Sequence, residues 1–203
     1  MENSEVLTLI RRSLAGDDNA FAALFHQYKN LVFKTAFVML GSREEADDLL
    51  QDVFLGVHRA LSGYQASKGA FSTWLYRITV NDCLSWKRKR RFLFISFDTY
   101  RDKPHTEFCF DSSSSGTHEE QTEIADQVFK AMSHLSPKLR AVVALRYYQD
   151  LSYAEIATIL NIPIGTVKSR LCQALDVLRN FLEKPTADVV ATQALLTQNE
   201  AHP

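Results

Sequence analysis

The sequence predicts an all-α protein: two small helical domains joined by a flexible acidic linker, the second containing a helix-turn-helix. Three observations lead there. Apolar residues recur at helical spacing along most of the 203-residue chain. A stretch from about Phe92 to Thr117 breaks that period and holds Ser112-Ser113-Ser114-Ser115-Gly116. Finally, Leu151 to Leu178 spells two short helices and the tight turn between them.

Val6, Leu7, Ile10 and Leu14 mark a first helix, ended by Ala15-Gly16-Asp17-Asp18. Ala20 to Leu40 is a longer helix whose inner face is expected to be aromatic, with Phe21, Phe25, Tyr28, Phe33 and Phe37, and Gly41 stops it. Ser42 and Glu45 cap the next helix, which runs to about Leu61 with Leu50, Val53, Val57 and Leu61 inward. Gly63 to Gly69 is a loop, and a helix from about Phe71 runs into the basic block Lys87-Arg88-Lys89-Arg90-Arg91. These boundaries give a first domain over 1–95, a linker over 96–118, a second domain over 119–183 and a tail over 184–203 that carries only a weak apolar patch, Val189 to Leu196. Helical pattern resumes at about Glu119, and Ser136-Pro137 starts the helix that leads into the helix-turn-helix.

Within that motif, Ser152 and Glu155 have the form of a capping box, and Ala154, Ile156, Ala157 and Leu160 give the first helix an apolar face. Asn161-Ile162-Pro163 breaks it, because Pro163 cannot donate to a continuing ladder yet suits the first turn of a new helix. Val167, Leu171, Ala174, Leu175 and Leu178 restart the stripe. With Val167 inward and about 100° per residue, Thr166, Lys168, Ser169, Cys172 and Gln173 point outward, where side chains can enter a major groove. Arg170 lies on the flank, placed for either an ion pair with Glu155 or a phosphate contact. A plain αα-hairpin would not need this polar, cationic outer face.

Charge is nearly balanced overall, 23 Lys and Arg against 24 Asp and Glu, but it is segregated. Five cations run together from Lys87 to Arg91, whereas eight acids lie between Asp98 and Asp126. Such blocks point to separate jobs. Cys83, Cys109 and Cys172 are far apart with no C-x-x-C pair, so neither a disulfide framework nor a zinc site is indicated, and a reducing cytoplasm is expected. The six histidines form no ligand spacing, and no Gly-rich phosphate loop or nucleophile motif stands out, so no catalytic residue, metal or cofactor is expected. No apolar run approaches the roughly 20 residues needed to cross a bilayer, and no insertion in a membrane is expected.

Taken in order, Ala46-Asp47-Asp48-Leu49-Leu50-Gln51-Asp52-Val53-Phe54, Phe71-Ser72-Thr73-Trp74-Leu75-Tyr76-Arg77-Ile78 with Asn81, Leu135-Ser136-Pro137, and Leu151-Ser152-Tyr153 through Arg170 resemble the extracytoplasmic-function sigma factors of bacterial RNA polymerase. The likeness spans most of residues 5 to 183. Four linked motifs are far more specific than one helix-turn-helix.

The resemblance implies a transcription initiation factor rather than an enzyme, with three working surfaces. The helix from Asp47 to Leu61 would dock on the clamp coiled coil of core polymerase. Asp48, Gln51, Asp52 and Leu55 share its outer side, which by itself also fits a solvated face. The helix after Gly69, with the Gly63 to Gly69 loop, would open and hold the minus-ten strand through Trp74, Arg77, Asn81, Lys87 and Arg88. Single strands need both stacking surface and phosphate charge, and an amide such as Asn81 can donate to and accept from a base edge. Trp74 fits a core position equally well, and the basic run fits a solvated helix end. Thr166, Lys168, Ser169, Arg170, Cys172 and Gln173 would read the minus-thirty-five duplex. Lys168 departs from the arginine frequent in relatives, and Cys172 and Gln173 from larger or basic residues. The implied partners are core polymerase through clamp and flap, promoter DNA in double- and single-stranded form, and an anti-sigma factor. The competing reading is a stand-alone helix-turn-helix regulator with an N-terminal sensor or dimerisation domain.

Overall fold

A computed structural model describes residues 2–96 and 127–183, and the side chains of residues 2, 3, 87 and 89–96 are outside the description. The acidic block, the linker beyond Ser96, the expected helix start at Glu119 and the tail lie outside the described residues, whereas residues 92–96, expected to break the helical period, continue the helix that begins at Phe71. All regular structure among the described residues is helical.

Four helices build the first domain: α1 (Glu2–Leu14), α2 (Asp18–Leu40), α3 (Arg43–Ala60) and α4 (Phe71–Ser96). Local chemistry sets their ends. Gly16 turns the chain at φ 89°, which lets Asp17 cap α2 by accepting from the amides of Asn19 and Ala20. The Arg12 guanidinium, 2.7 Å from Asp17, and the cap amides hold that carboxyl below its ordinary range. Gly41, also left-handed, closes α2 by donating to the Phe37 carbonyl, and Ser42 accepts from the Glu45 amide to start α3. Between α3 and α4 the expected loop holds two short 3-10 turns, Leu61–Gly63 and Ala66–Lys68, with the Tyr64 hydroxyl donating to the Gly69 carbonyl at 3.0 Å.

The α2 face facing the core is not the aromatic one. Leu24, Val32, Ala36 and Met39 are buried, whereas Phe21, Phe25, Tyr28, Phe33 and Phe37 are half-buried. Small aliphatic side chains let α2 approach α3 and α4 closely, and the rings fill the flanks. Phe21 and Phe25 meet Phe54 of α3 edge-on, and Tyr28 meets Phe71 of α4. Leu14 is exposed and Leu50 only half-buried, while Leu49 and Phe54 join Val53, Val57 and Leu61 in the core. The buried hydroxyls of Thr35 and Thr79 donate to the carbonyls of Leu31 and Leu75 one turn back, which leaves neither orphaned.

The second domain comprises helical residues 127–133 (α5), α6 (Pro137–Val143), a π turn over Ala144–Tyr148, α7 (Tyr153–Leu160) and α8 (Ile164–Leu182). Ser136 caps α6 with Pro137 in its first turn. The capping box at α7 is complete: the Ser152 hydroxyl accepts from the Glu155 amide, and the Glu155 carboxylate accepts from the Ser152 amide at 2.8 Å. Asn161 takes the left-handed conformation that ends α7, and Pro163 precedes α8 rather than opening it. Ile156 and Ile159 are the buried residues of α7, and Ala154 is exposed, because at about 100° per residue it lies nearly opposite the buried Ile156. In α8, Val167, Leu171 and Ala174 are buried and Leu175 is exposed.

The domains are packed together, which periodicity did not predict. α4 lies on α6 and α7, and α2 lies on α6 and the π turn, so a single apolar core runs across the boundary. Phe37 of α2 stacks on Phe129 of α5 at 5.3 Å between ring centroids.

Candidate nucleic-acid interface

On α3, the inward Leu49, Val53 and Val57 set the opposite side toward solvent. Asp48, Gln51, Asp52 and Leu55 are all exposed there, Leu55 to 56%. An exposed leucine ringed by acids and an amide suits a partner with an apolar seat and basic rim.

On α4, Phe71, Leu75, Val80 and Cys83 fix the inner face, and Arg77, Asn81 and Arg88 are exposed on the other. Lys87 lies on this helix, but its side chain is outside the description. Trp74 is half-buried against Phe71 and Tyr64, with ring centroids 5.6 and 5.5 Å away. It therefore belongs to an aromatic cluster beside the Ala66–Lys68 turn while keeping part of its surface open. Arg77 is exposed but engaged: its Nη2 donates to the Thr158 carbonyl of α7 at 2.8 Å.

On α8, Lys168, Ser169, Cys172 and Gln173 are exposed along one edge, and Thr166 and Arg170 are half-buried beside it. The α7 capping box and the Asn161 turn hold this helix at its angle to α7. Of the two roles open to Arg170, the ion pair with Glu155 is not formed, since that carboxylate closes on Ser152 and is held below its ordinary range by the hydroxyl and amide there. No cluster of His, Cys, Asp and Glu suited to a metal occurs among the described residues, and no described helix is long and apolar enough to cross a membrane.

Three polar residues at the domain boundary escaped the sequence reading. The Tyr76 hydroxyl donates to Gln149 Oε1 at 2.8 Å; burial, and then the Glu155 charge, push its pKa up to about 12. Arg140, only 6% exposed, donates to the carbonyls of Met39, Ser133 and Leu135, and burial lowers its pKa. A signal for Arg140 was present: it stands at a core position of an apolar helix, among Ala141, Val142 and Val143.

Among the described residues, fold and surface define a two-domain helical protein of the helix-turn-helix class. Residues 24–92 match the Sigma-70 region 2 family and residues 125–178 match Sigma-70, region 4. Over 182 residues the chain is 30% identical to the ECF RNA polymerase sigma factor SigW of Bacillus subtilis, covering 85% of this chain and 94% of that protein. It is 32% identical over 194 residues to the ECF RNA polymerase sigma-E factor of Escherichia coli K12, covering 89% and 97%. The chain belongs to the extracytoplasmic-function sigma factors of bacterial RNA polymerase. In fold it is similar to the sigma factor RpoE in complex with the anti-sigma factor NepR from Bartonella quintana, at a TM-score of 0.66 and 22% identity, covering 81% of this chain and 97% of that one. It is also similar to CnrH in complex with the cytosolic domain of CnrY, at 0.62 and 20%, covering 90% and 99%.

Proposed function

We propose that this chain joins core RNA polymerase and directs initiation at a subset of promoters through three separate surfaces. The observation that supports it best is their coexistence in one chain: an acid, amide and leucine face on α3, a cationic and amide face on α4, and the polar edge of α8. Asp48, Gln51, Asp52 and Leu55 dock on the polymerase clamp, and the second domain engages the flap. Lys168 and Gln173 read the upstream duplex with Thr166, Ser169, Arg170 and Cys172 around them. Lysine contacts guanine less rigidly than a bidentate arginine, and glutamine pairs with adenine, which sets the promoter preference apart from arginine-bearing relatives.

Asn81 holds an extruded minus-ten base, Trp74 and the neighbouring turn supply stacking surface, and Arg77, Lys87 and Arg88 engage phosphates. Such contacts offset the few kcal/mol needed to flip a base. In this reading residues 1–95 form the docking and opening domain, 96–118 the linker and 119–183 the upstream-reading domain. RNA synthesis itself remains the chemistry of the polymerase. The chain acts in the cytoplasm, on the nucleoid when active, with an anti-sigma factor as its inactivating partner, in some cases at the membrane.

Transcription in vitro with bacterial core enzyme on a genomic template library tests this. Promoter-specific transcripts that depend on the chain are expected. Tight duplex binding by the chain alone, with no such transcript, would establish the stand-alone regulator instead.

A further inference from the structure

We propose that Tyr64 is a positioning residue for minus-ten recognition: its hydroxyl latches the turn from Gln65 to Gly69 into a preformed rim beside Trp74, against which the extruded base is read. The proposal deepens the promoter-binding reading above and rests on it. Gln65, Ala66, Ser67 and Lys68 are all exposed, so their side chains do not anchor the turn in the core. Main-chain bonds inside the turn are short in span, from the Lys68 amide to the Gln65 carbonyl at 3.0 Å and from the Gly69 amide to the Ala66 carbonyl at 3.4 Å. Bonds of this 3-10 type have poor geometry and hold a turn weakly. The Tyr64 hydroxyl reaches further. Donating to the Gly69 carbonyl at 3.0 Å, it joins the residue before the turn to the residue that ends it.

Tyr64 is itself fixed. Its amide donates to the carbonyl of the buried Leu61 at 3.1 Å. Its ring meets the fully buried Phe71 edge-on and tilts on Trp74, each at 5.5 Å between centroids. The latch thus runs from the core of the first domain, through one ring, to the rim of the turn. Burial raises the Tyr64 pKa, which keeps the hydroxyl protonated and donating through the neutral range. At the other end Gly69 sits at φ 148° and ψ 170°, a conformation open to glycine that strains other residues, and its carbonyl faces the hydroxyl there. Trp74 and Asn81, seven residues apart, share a face of α4, and the turn stands at the Trp74 end. Gln65 and Ser67 supply the polar side chains of the rim, able to donate to and accept from a base edge. Ordering a backbone on binding costs free energy. A turn fixed beforehand avoids that cost and presents its polar groups at one set of positions, which favours one base over the others.

The test compares wild type, Tyr64→Phe, Gly69→Ala and the double variant as full-length chains with core polymerase. The probes are minus-ten single strands from a promoter mapped with the wild-type chain, varied one base at a time, with the upstream duplex as control. Tyr64→Phe keeps the ring and removes only the bond. It should lower discrimination at the extruded base about three- to tenfold, the equivalent of one hydrogen bond, and leave binding to the upstream duplex unchanged. In Gly69→Ala the added methyl meets no neighbour within 4 Å, but the backbone is strained and the acceptor must shift. Discrimination should fall there as well, and Tyr64→Phe on that background should cost little more. Amide exchange in the free chain gives a readout without polymerase: residues 65–70 should exchange faster in Tyr64→Phe, with α2 and α3 as in wild type. Unchanged exchange or unchanged discrimination in Tyr64→Phe overturns the latch. So does a loss shared equally by every strand and the upstream duplex, the mark of a bond that only stabilises the fold. Failure of the promoter reading shows separately, as absence of transcript from the wild-type chain with core enzyme even where exchange responds.

Discussion

The two helices that carry the residues proposed to face DNA use their side chains in different ways. On α8 the work is divided: Val167, Leu171 and Ala174 pack, while Lys168, Ser169, Cys172 and Gln173 stand exposed. On α4 residues of the Trp74 to Arg77 turn have structural duties as well. Trp74 packs on Phe71 and Tyr64, Tyr76 seals the boundary to the second domain, and Arg77 is bonded across it. The lesson is that the α8 edge can change its sequence preference without disturbing the fold. A change on the Trp74 to Arg77 stretch alters packing or domain arrangement together with any DNA contact.

The largest expected effect separates core from platform on α4. Phe71 is fully buried, so Phe71→Ala should destabilise the chain by about 3–5 kcal/mol. Trp74→Ala should destabilise it less, since Trp74 is half-buried, but should weaken minus-ten single-strand binding by about 1–3 kcal/mol for a lost stacked base. Denaturant unfolding and strand binding by the polymerase complex report the two quantities. If Trp74→Ala costs as much stability as Phe71→Ala with strand binding intact, Trp74 is core and α4 offers no platform.

Next in size is the α8 edge. Lys168→Ala and Gln173→Ala should each weaken upstream duplex recognition by about 1–3 kcal/mol and leave thermal unfolding nearly unchanged. Transcription from a template already melted around minus ten should retain most of its activity. Equal loss on duplex and pre-melted templates would erase the contrast between α8 and α4.

What was legible in the sequence follows the same contrast between local and distant causes. Gly41, Ser42 with Glu45, Ser152 with Glu155, and Asn161 before Pro163 could be read because each helix end is decided by neighbours within a few residues. The α2 face was misread because hydrophobicity alone ranks a phenylalanine above an alanine, whereas close helix approach selects Leu24, Val32 and Ala36 for the inside. The exposed edge of α8 followed from helical geometry once Val167 was placed inward. The domain packing did not follow, since the bond from Arg140 to Met39 joins residues 101 apart and leaves no periodic trace.

A smaller effect is expected at the cap that orients the helix-turn-helix. Ser152→Ala removes the bond that the serine hydroxyl donates to the Glu155 carboxylate and the one it accepts from the Glu155 amide, and should destabilise the second domain by about 1 kcal/mol. Because folding depresses the Glu155 pKa, its stabilising contribution is present above the carboxylate's unfolded value and is lost as pH falls through the lower folded value. Thermal unfolding followed across that acid range should show a shallower pH dependence in Ser152→Ala than in wild type. An unchanged slope would mean that the cap does not report on Glu155.

The smallest effects distinguish two residues on α4 itself. Asn81 and Arg88 are both exposed on this helix, but a base-edge contact carries sequence information and a phosphate contact does not. Asn81→Ala should therefore reduce discrimination among minus-ten strands by about 0.5–1.5 kcal/mol, the net size of one hydrogen bond, with the salt dependence preserved. Arg88→Gln should weaken all strands alike and lower the salt slope by about 0.7, the expected value for one phosphate contact on a single strand. Strand binding by the polymerase complex over a salt series, compared for wild type and both variants, measures both numbers at once. Loss of sequence preference in Arg88→Gln, with none in Asn81→Ala, would reverse the two roles. The base pocket would then have to lie nearer the basic end of α4 than the aromatic cluster at Trp74.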